Sequence, residues 1–357
     1  MRSITPQRSK GVAAAAAIFL LVAGGVRFPC DNVRLLMVLL FSGAVVGLTA
    51  VVMWNVNRWL AYFLAAAFWS MLFPVYSRES HLAFQMVFYG AVWYGFVVLF
   101  VKDINVRFLL DAMCLIALAN VAMLTMQTLG HDPLYIPRPQ WAGTTPHVGL
   151  MTNPNEVSAL LAFCAPAFLR GRYKWGLVAV IVGLVMAQST GGAFALAAGL
   201  MFYEFANGRI WKPLVACGIA VVLFSLAVDM PHLGGREATW KFALSIYPQH
   251  WLFGAGLGHW KIVFSKIESA RACYWMQAHN EFIQGLFEMG IPFAVIVAGY
   301  LISCARRFRK AALIPATAGV VIVVNSLVNF PFHIATTALL AMTWLAIYEV
   351  KLKEIKA

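Results

Sequence analysis

Apolar residues run through this chain in stretches of about 20, the number a helix needs to cross a bilayer core of about 30 Å. The runs predict twelve membrane-spanning helices, near 11–29, 35–55, 59–77, 83–101, 108–129, 148–169, 175–189, 191–206, 214–230, 280–303, 311–330 and 333–350. Most connections are short. Two are not: 130–147, with Pro133, Pro137, Pro139 and Pro146, and 231–278. The expected fold is an all-α polytopic membrane protein with about 12 transmembrane helices in a single domain over 1–357. A long outer loop over 231–278, containing short helices, is inserted between helices 9 and 10.

Within that loop Gly234-Gly235 permits a turn, after which Arg236, Trp240, Ala243, Leu244 and Tyr247 fall on one helical face ending at Pro248. A short amphipathic helix at the headgroup level is expected, with Arg236 and Trp240 spaced to stack or with Arg236 snorkelling to the interface. Asn153-Pro154-Asn155-Glu156 lies inside the sixth run, and Pro154 is expected to kink that helix. Two amides and a carboxylate at membrane depth point either to a wet cavity or to a kink with satisfied asparagines. Ser189-Thr190-Gly191-Gly192 joins two spans with almost no loop, and its small residues allow close helix packing.

Composition agrees with the pattern: hydrophobic residues are 62% and charged ones 11% of 357 residues, with mean hydropathy +0.78, which excludes a soluble domain with a solvated surface. The formal charge of +13 would suggest nucleic acid in a soluble protein, but here it follows topology. With the N-terminus inside, Arg2, Arg8, Lys10, Arg58, Lys102, Arg107, Arg170, Arg172, Lys174, Arg209, Lys212, Arg306, Arg307, Arg309, Lys310, Lys351, Lys353 and Lys356 fall on the cytoplasmic side. Half as many, Arg27, Arg34, Arg78, Arg138, Arg236, Lys241, Lys261, Lys266 and Arg271, fall outside. Both termini are then inside, the run Arg306 to Lys310 is a cytoplasmic anchor, and no nucleic-acid partner is implied. Residues 1–26 also resemble a signal peptide, but no clean cleavage site follows, so an uncleaved first span is expected.

All eight histidines, His81, His131, His147, His232, His250, His259, His279 and His333, fall on the outer side. None has metal-site spacing, no cysteine pair has either, and paired carboxylates for a divalent ion are missing, so no metal and no cofactor are expected. Cys30 and Cys273 are the outer cysteines and could pair in an oxidising compartment. Gly254-Ala255-Gly256-Leu257-Gly258 lacks the strand and helix of a dinucleotide fingerprint, leaving a plain turn or a close backbone approach to a phosphate. No nucleotide-triphosphate loop sequence occurs. His279, followed by Asn280 at the start of a span, is either a cap or a neutral imidazole able to take a proton from a hydroxyl.

Taken in order, these pieces resemble the O-antigen ligase and polymerase superfamily of bacterial inner-membrane glycosyltransferases, over most of 148–345. Asn153-Pro154-Asn155 resembles its N-P-N helix, and Ser189 through Leu200 its S-R-G-G span. Arg236 to Trp240, with Pro248, Gly254, Gly256 and Gly258, resembles its R-x-x-x-W... P-x-x-G-x-G-x-G segment. Ala278-His279-Asn280 through Glu288-Met289-Gly290-Ile291-Pro292 resembles its H-N... E-x-G-x-x-G helix, and Phe330-Pro331-Phe332-His333 its late F-P-L-H turn.

The resemblance implies a glycosyltransferase C-like fold in the bacterial inner membrane, with the active site on the periplasmic face. It implies inverting, metal-independent transfer from an undecaprenyl-pyrophosphate-linked glycan to a sugar hydroxyl of a lipid A-core, or to a growing glycan in the polymerase. Arg236 would grip the pyrophosphate and His279 would activate or position the acceptor hydroxyl. Asn280, Asn153, Asn155, Ser189, Gly256 and Trp240 would line the substrate site among membrane lipids. Where the family has arginine after the serine this chain has Thr190; either Arg271, or Arg27, Arg34 or Arg78, supplies the missing charge, or this member is altered in activity or donor. A flippase or other transporter of lipid-linked glycans is the alternative from another class, though its ionisable groups would lie near the midplane.

Overall fold

A computed structural model describes residues 56–72, 77–100, 106–135, 147–170, 173–209, 231–266 and 277–354, with Thr49 and Val52 besides. Among them the architecture is all-α, built from twelve helices: α1 (Arg58–Leu72), α2 (Arg78–Phe100), α3 (Val106–Thr128), α4 (Pro154–Cys164), α5 (Lys174–Ala187), α6 (Thr190–Ala206), α7 (Pro231–Ile246), α8 (Trp260–Lys266), α9 (Glu281–Met289), α10 (Ile291–Arg307), α11 (Leu313–Ser326) and α12 (Ala335–Glu354). Two of these, α2 and α3, are long and apolar enough to cross a membrane. The expected spans at 11–29 and 214–230, nearly all of 35–55, most of the proline-rich loop, Arg271, Arg27, Arg34, Cys30 and Cys273 lie outside the described residues.

Two expected spans are each broken into pieces. The run 148–169 is a helix only from Pro154, because proline, which lacks an N–H, starts a helix without loss, and the Asn153 side-chain Oδ1 caps it by accepting from Asn155 N at 2.9 Å. Pro154 therefore begins the helix instead of kinking it. The segment before it is held by amides of α3: Gln127 Oε1 accepts from Val148 N and Gly149 N, and Asn120 Oδ1 accepts from Leu150 N. The run 280–303 divides into α9 and α10 at Gly290, whose φ of 67° ends α9 just before Pro292. In the long segment before α9, α7 starts at Pro231 and runs through Gly234-Gly235, which were expected to turn, and ends beside Pro248 as expected.

One core joins α3, α4, α5, α6, α11 and α12 around Phe163, Phe168 and Trp344, and a second joins α1, α2 and α12 around Leu64, Phe88 and Tyr94. Small residues allow the close approaches: a Cβ on Gly192 would lie 2.3 Å from the Ser158 carbonyl oxygen, so α4 and α6 touch through backbone there. A third, smaller core of Ala243, Ala255, Trp260, Phe264, Ala278 and Phe287 ties α7 and α8 onto α9, with Trp260 and Phe264 stacked at 4.1 Å. At the other end of the bundle, Arg307 of the basic run bonds both oxygens of buried Glu349 at 3.1 Å. Arg306, Arg309 and Lys310 stay exposed.

Candidate functional site

Asn280 opens α9 as its N-cap, with its side-chain oxygen accepting from Phe282 N and Ile283 N at 3.0 Å. His279, immediately before it, has φ 52°, a left-handed backbone that a non-glycine residue adopts only when its surroundings impose it. Those surroundings can be named. Trp240 of α7 donates its indole N–H to the Ala278 carbonyl at 2.6 Å, and Ala278 N donates to Gln284 Oε1 at 2.9 Å. The His279 ring stands edge-on against Phe330 at 4.6 Å between centroids, and the residue is 7% exposed.

Arg236, one turn before Trp240 on α7, points its guanidinium at the turn after α11, where Nη1 donates to the Val328 carbonyl at 3.0 Å. Arg236 and Trp240 thus each bond a different backbone segment. The Nε of Arg236 is buried without a hydrogen-bond partner, and among the described residues no carboxylate lies within ion-pair distance of it. Burial lowers the pKa of this guanidinium. The His279 imidazole is pushed down to about 3, first by burial and then by the positive charge of Arg236 nearby, so it is neutral at pH 7.

The N-P-N and serine motifs reach the same turn from the other side. Asn329 Nδ2 donates to the Asn155 carbonyl at 3.1 Å, and Ser189 Oγ donates to Asn155 Oδ1 at 2.7 Å. Asn153 faces its own helix start as the cap. Arg236, His279 and Asn155, with Ser189 bonded to Asn155, thereby meet at residues 328–330, while Trp240 and Asn280 join the group through Ala278 and the start of α9. Thr190 begins α6 beside this group.

Gly256 sits apart, at the far end of α9. Its N–H donates to the Glu288 carbonyl at 3.0 Å, while Gly258 N and Trp260 N donate to the Glu288 carboxylate at 2.9 and 3.1 Å. Gly254, Gly256 and Gly258 all have positive φ, and a Cβ on Gly254 would lie 2.2 Å from the Glu288 carbonyl oxygen. The glycine loop does cradle an acceptor group through backbone N–H groups, and that group is the protein's own Glu288 carboxyl.

Sequence reasoning missed Gln284, Asn325 and Asn329. Asn325 and Asn329 are four apart in an apolar run, and Gln284 follows Asn280 by one turn. Isolated amides at helical spacing inside apolar stretches were the available signal. A cavity of about 800 Å³ runs from Gln277, Glu281 and His333 between α1, α2, α10 and α12 to Phe308 and Tyr348, and apolar side chains line most of it. No protein-family model matches this chain, and no curated protein matches it with significance.

Proposed function

We propose that the chain is a bacterial inner-membrane glycosyltransferase that moves an undecaprenyl-pyrophosphate-linked glycan onto a sugar hydroxyl, in the manner of an O-antigen ligase. The observation that carries this reading is Arg236: a half-buried guanidinium whose Nε is buried without a partner and which has no carboxylate beside it among the described residues, next to a neutral imidazole. A cationic donor that is desolvated and left unpartnered is costly, and a bound anion relieves that cost. A guanidinium fork suits phosphate oxygens, and a neutral imidazole suits a hydroxyl proton.

In the proposed reaction the acceptor oxygen attacks the anomeric carbon, and the bond from that carbon to the pyrophosphate oxygen breaks. The hydroxyl proton passes to the His279 imidazole, and Arg236 balances the charge gathering on the leaving lipid pyrophosphate. Donor binding also prepares the base. One of the two causes that depress His279 is the Arg236 charge, which a bound pyrophosphate would neutralise, raising the imidazole toward the range of a useful base. The long apolar cavity beside α9 and α10 offers a volume in which a lipid chain can lie. Twelve spans with both termini inside, and a periplasmic site, are part of the proposal; their support is the apolar runs and the arginine and lysine distribution.

Repeat-unit polymerisation uses the same chemistry with a growing glycan as acceptor. Reconstituting the full chain in proteoliposomes with lipid-linked glycan and a lipid A-core acceptor tests these readings. Transfer of one block supports the ligase, unit-by-unit growth the polymerase, and translocation of donor without a new glycosidic bond would overturn the assignment in favour of a flippase.

A further inference from the structure

Left-handed His279 follows Ala278, whose N–H and carbonyl are both held by side chains, and the groups behind one of these bonds form a connected chain. Glu281 accepts from Phe332 N at 2.7 Å and lies 3.2 Å from His333 Nδ1. His333 Nε2 lies 3.0 Å from Gln284 Nε2, and Gln284 Oε1 receives Ala278 N at 2.9 Å. A backbone N–H can only donate, so the Ala278 bond fixes which end of the Gln284 amide is oxygen. The Gln284 nitrogen must then face His333, and an amide nitrogen cannot accept a hydrogen bond. His333 Nε2 is consequently the acceptor, and the ring proton sits on Nδ1 against Glu281. The other contacts of Gln284 Nε2, to Gln277 Oε1 at 2.7 Å and Glu288 Oε1 at 3.2 Å, are also to acceptors, so the two amide hydrogens are shared among three partners, with Glu288 the most distant.

We infer that Gln284, locked by the Glu281–His333 pair, is a positioning residue that clamps Ala278 and holds His279 in its strained, functional orientation. The inference rests on the reading of His279 as the base, but the clamp is a structural claim with its own test. Three features make Gln284 more than a buried polar residue that satisfies itself. It is 3% exposed, it bonds the residue adjoining His279 directly, and its partner His333 comes from the turn that also supplies Phe330 against the His279 ring. Trp240 holds the other polar group of Ala278, so the residue before His279 is fixed at both its N–H and its carbonyl, one in each of its two peptide groups.

The test uses the purified full-length chain and Gln284→Met, which keeps the volume and loses the hydrogen bonds. Diethyl pyrocarbonate modification of His279 and of exposed His131 is followed by peptide mass spectrometry. The clamp predicts that His279 is modified about threefold to tenfold faster in the variant while His131 is unchanged. His333→Leu, which removes the lock on Gln284 from the opposite side, is expected to raise the His279 rate in the same sense. An unchanged His279 rate in both variants, or an equal rise at His279 and His131, would overturn the inference. In the transfer assay Gln284→Met should lower kcat with little change in the donor KM. Faster labelling of His279 together with full transfer by a His279 variant would leave the clamp standing and remove the role of base.

Discussion

Trp240 and Ala278 are joined by a 2.6 Å hydrogen bond from the indole N–H to the carbonyl, and this bond docks α7 against the residue that precedes His279. Because Arg236 lies one turn earlier on α7, the same bond sets the distance between the guanidinium and the imidazole. Trp240→Phe keeps the ring packing and loses the donor. It should lower stability by only about 1 kcal/mol, yet reduce transfer by more than that loss of folded protein explains. Thermal midpoint and kcat measured on the same preparation check this.

His279 gives the protein an acid-side weakness of known sign. Its pKa is about 3 when folded and near the ordinary 6.5 when unfolded. Above pH 6.5 the ring is neutral in both states and contributes no pH dependence. Between 6.5 and 3 the unfolded chain takes up a proton that the folded chain refuses. Stability therefore falls as pH drops through this window, by at most about 1.4 kcal/mol per pH unit, and levels off below 3. His279→Asn, which tolerates positive φ, should flatten the fall in thermal midpoint between pH 6.5 and 5.

The glycine loop separates two kinds of positive-φ glycine. Gly130 has φ 83° and open space around it, whereas Gly254 has φ 78° and the Glu288 carbonyl against it. Gly130→Ala should cost about 1–2 kcal/mol. Gly254→Ala should cost more, because the loop must also leave α9. Comparing the two thermal midpoints in one detergent checks the difference.

Asn325 is fully buried, and neither its side-chain oxygen nor its nitrogen has a hydrogen-bond partner. A buried amide left unmade costs about 1–3 kcal/mol. Asn325→Leu, close to isosteric, should raise the thermal midpoint; a lowered midpoint would contradict the unpartnered state of the amide.

The all-α class and most helix positions were legible in the sequence, since apolar runs and polar interruptions are local signals, and the motifs around Arg236, His279 and Asn155 pointed to residues that meet at one turn. Breaks inside apolar runs were less legible. Pro154 could kink a helix or begin one, and the outcome was decided by Asn153 as cap and by Gln127 and Asn120 reaching across from α3. Gly234-Gly235 read as a turn because glycine weakens helices, yet α7 passes through them. The role of Gln284 was hidden, because its importance lies in partners at 278 and 333 that only the folded chain brings together. The glycine run was ambiguous for the same reason: its backbone donors meet Glu288, thirty residues further on.

The pairing of Arg236 with His279 is tested most directly by the single-turnover rate of glycosidic-bond formation in proteoliposomes under saturating donor. Wild type is compared with His279→Asn and Arg236→Lys. His279→Asn should lose about 10²-fold or more in rate, and Arg236→Lys should bind donor more weakly with a smaller loss of rate. Wild-type rates in both variants would contradict that pairing.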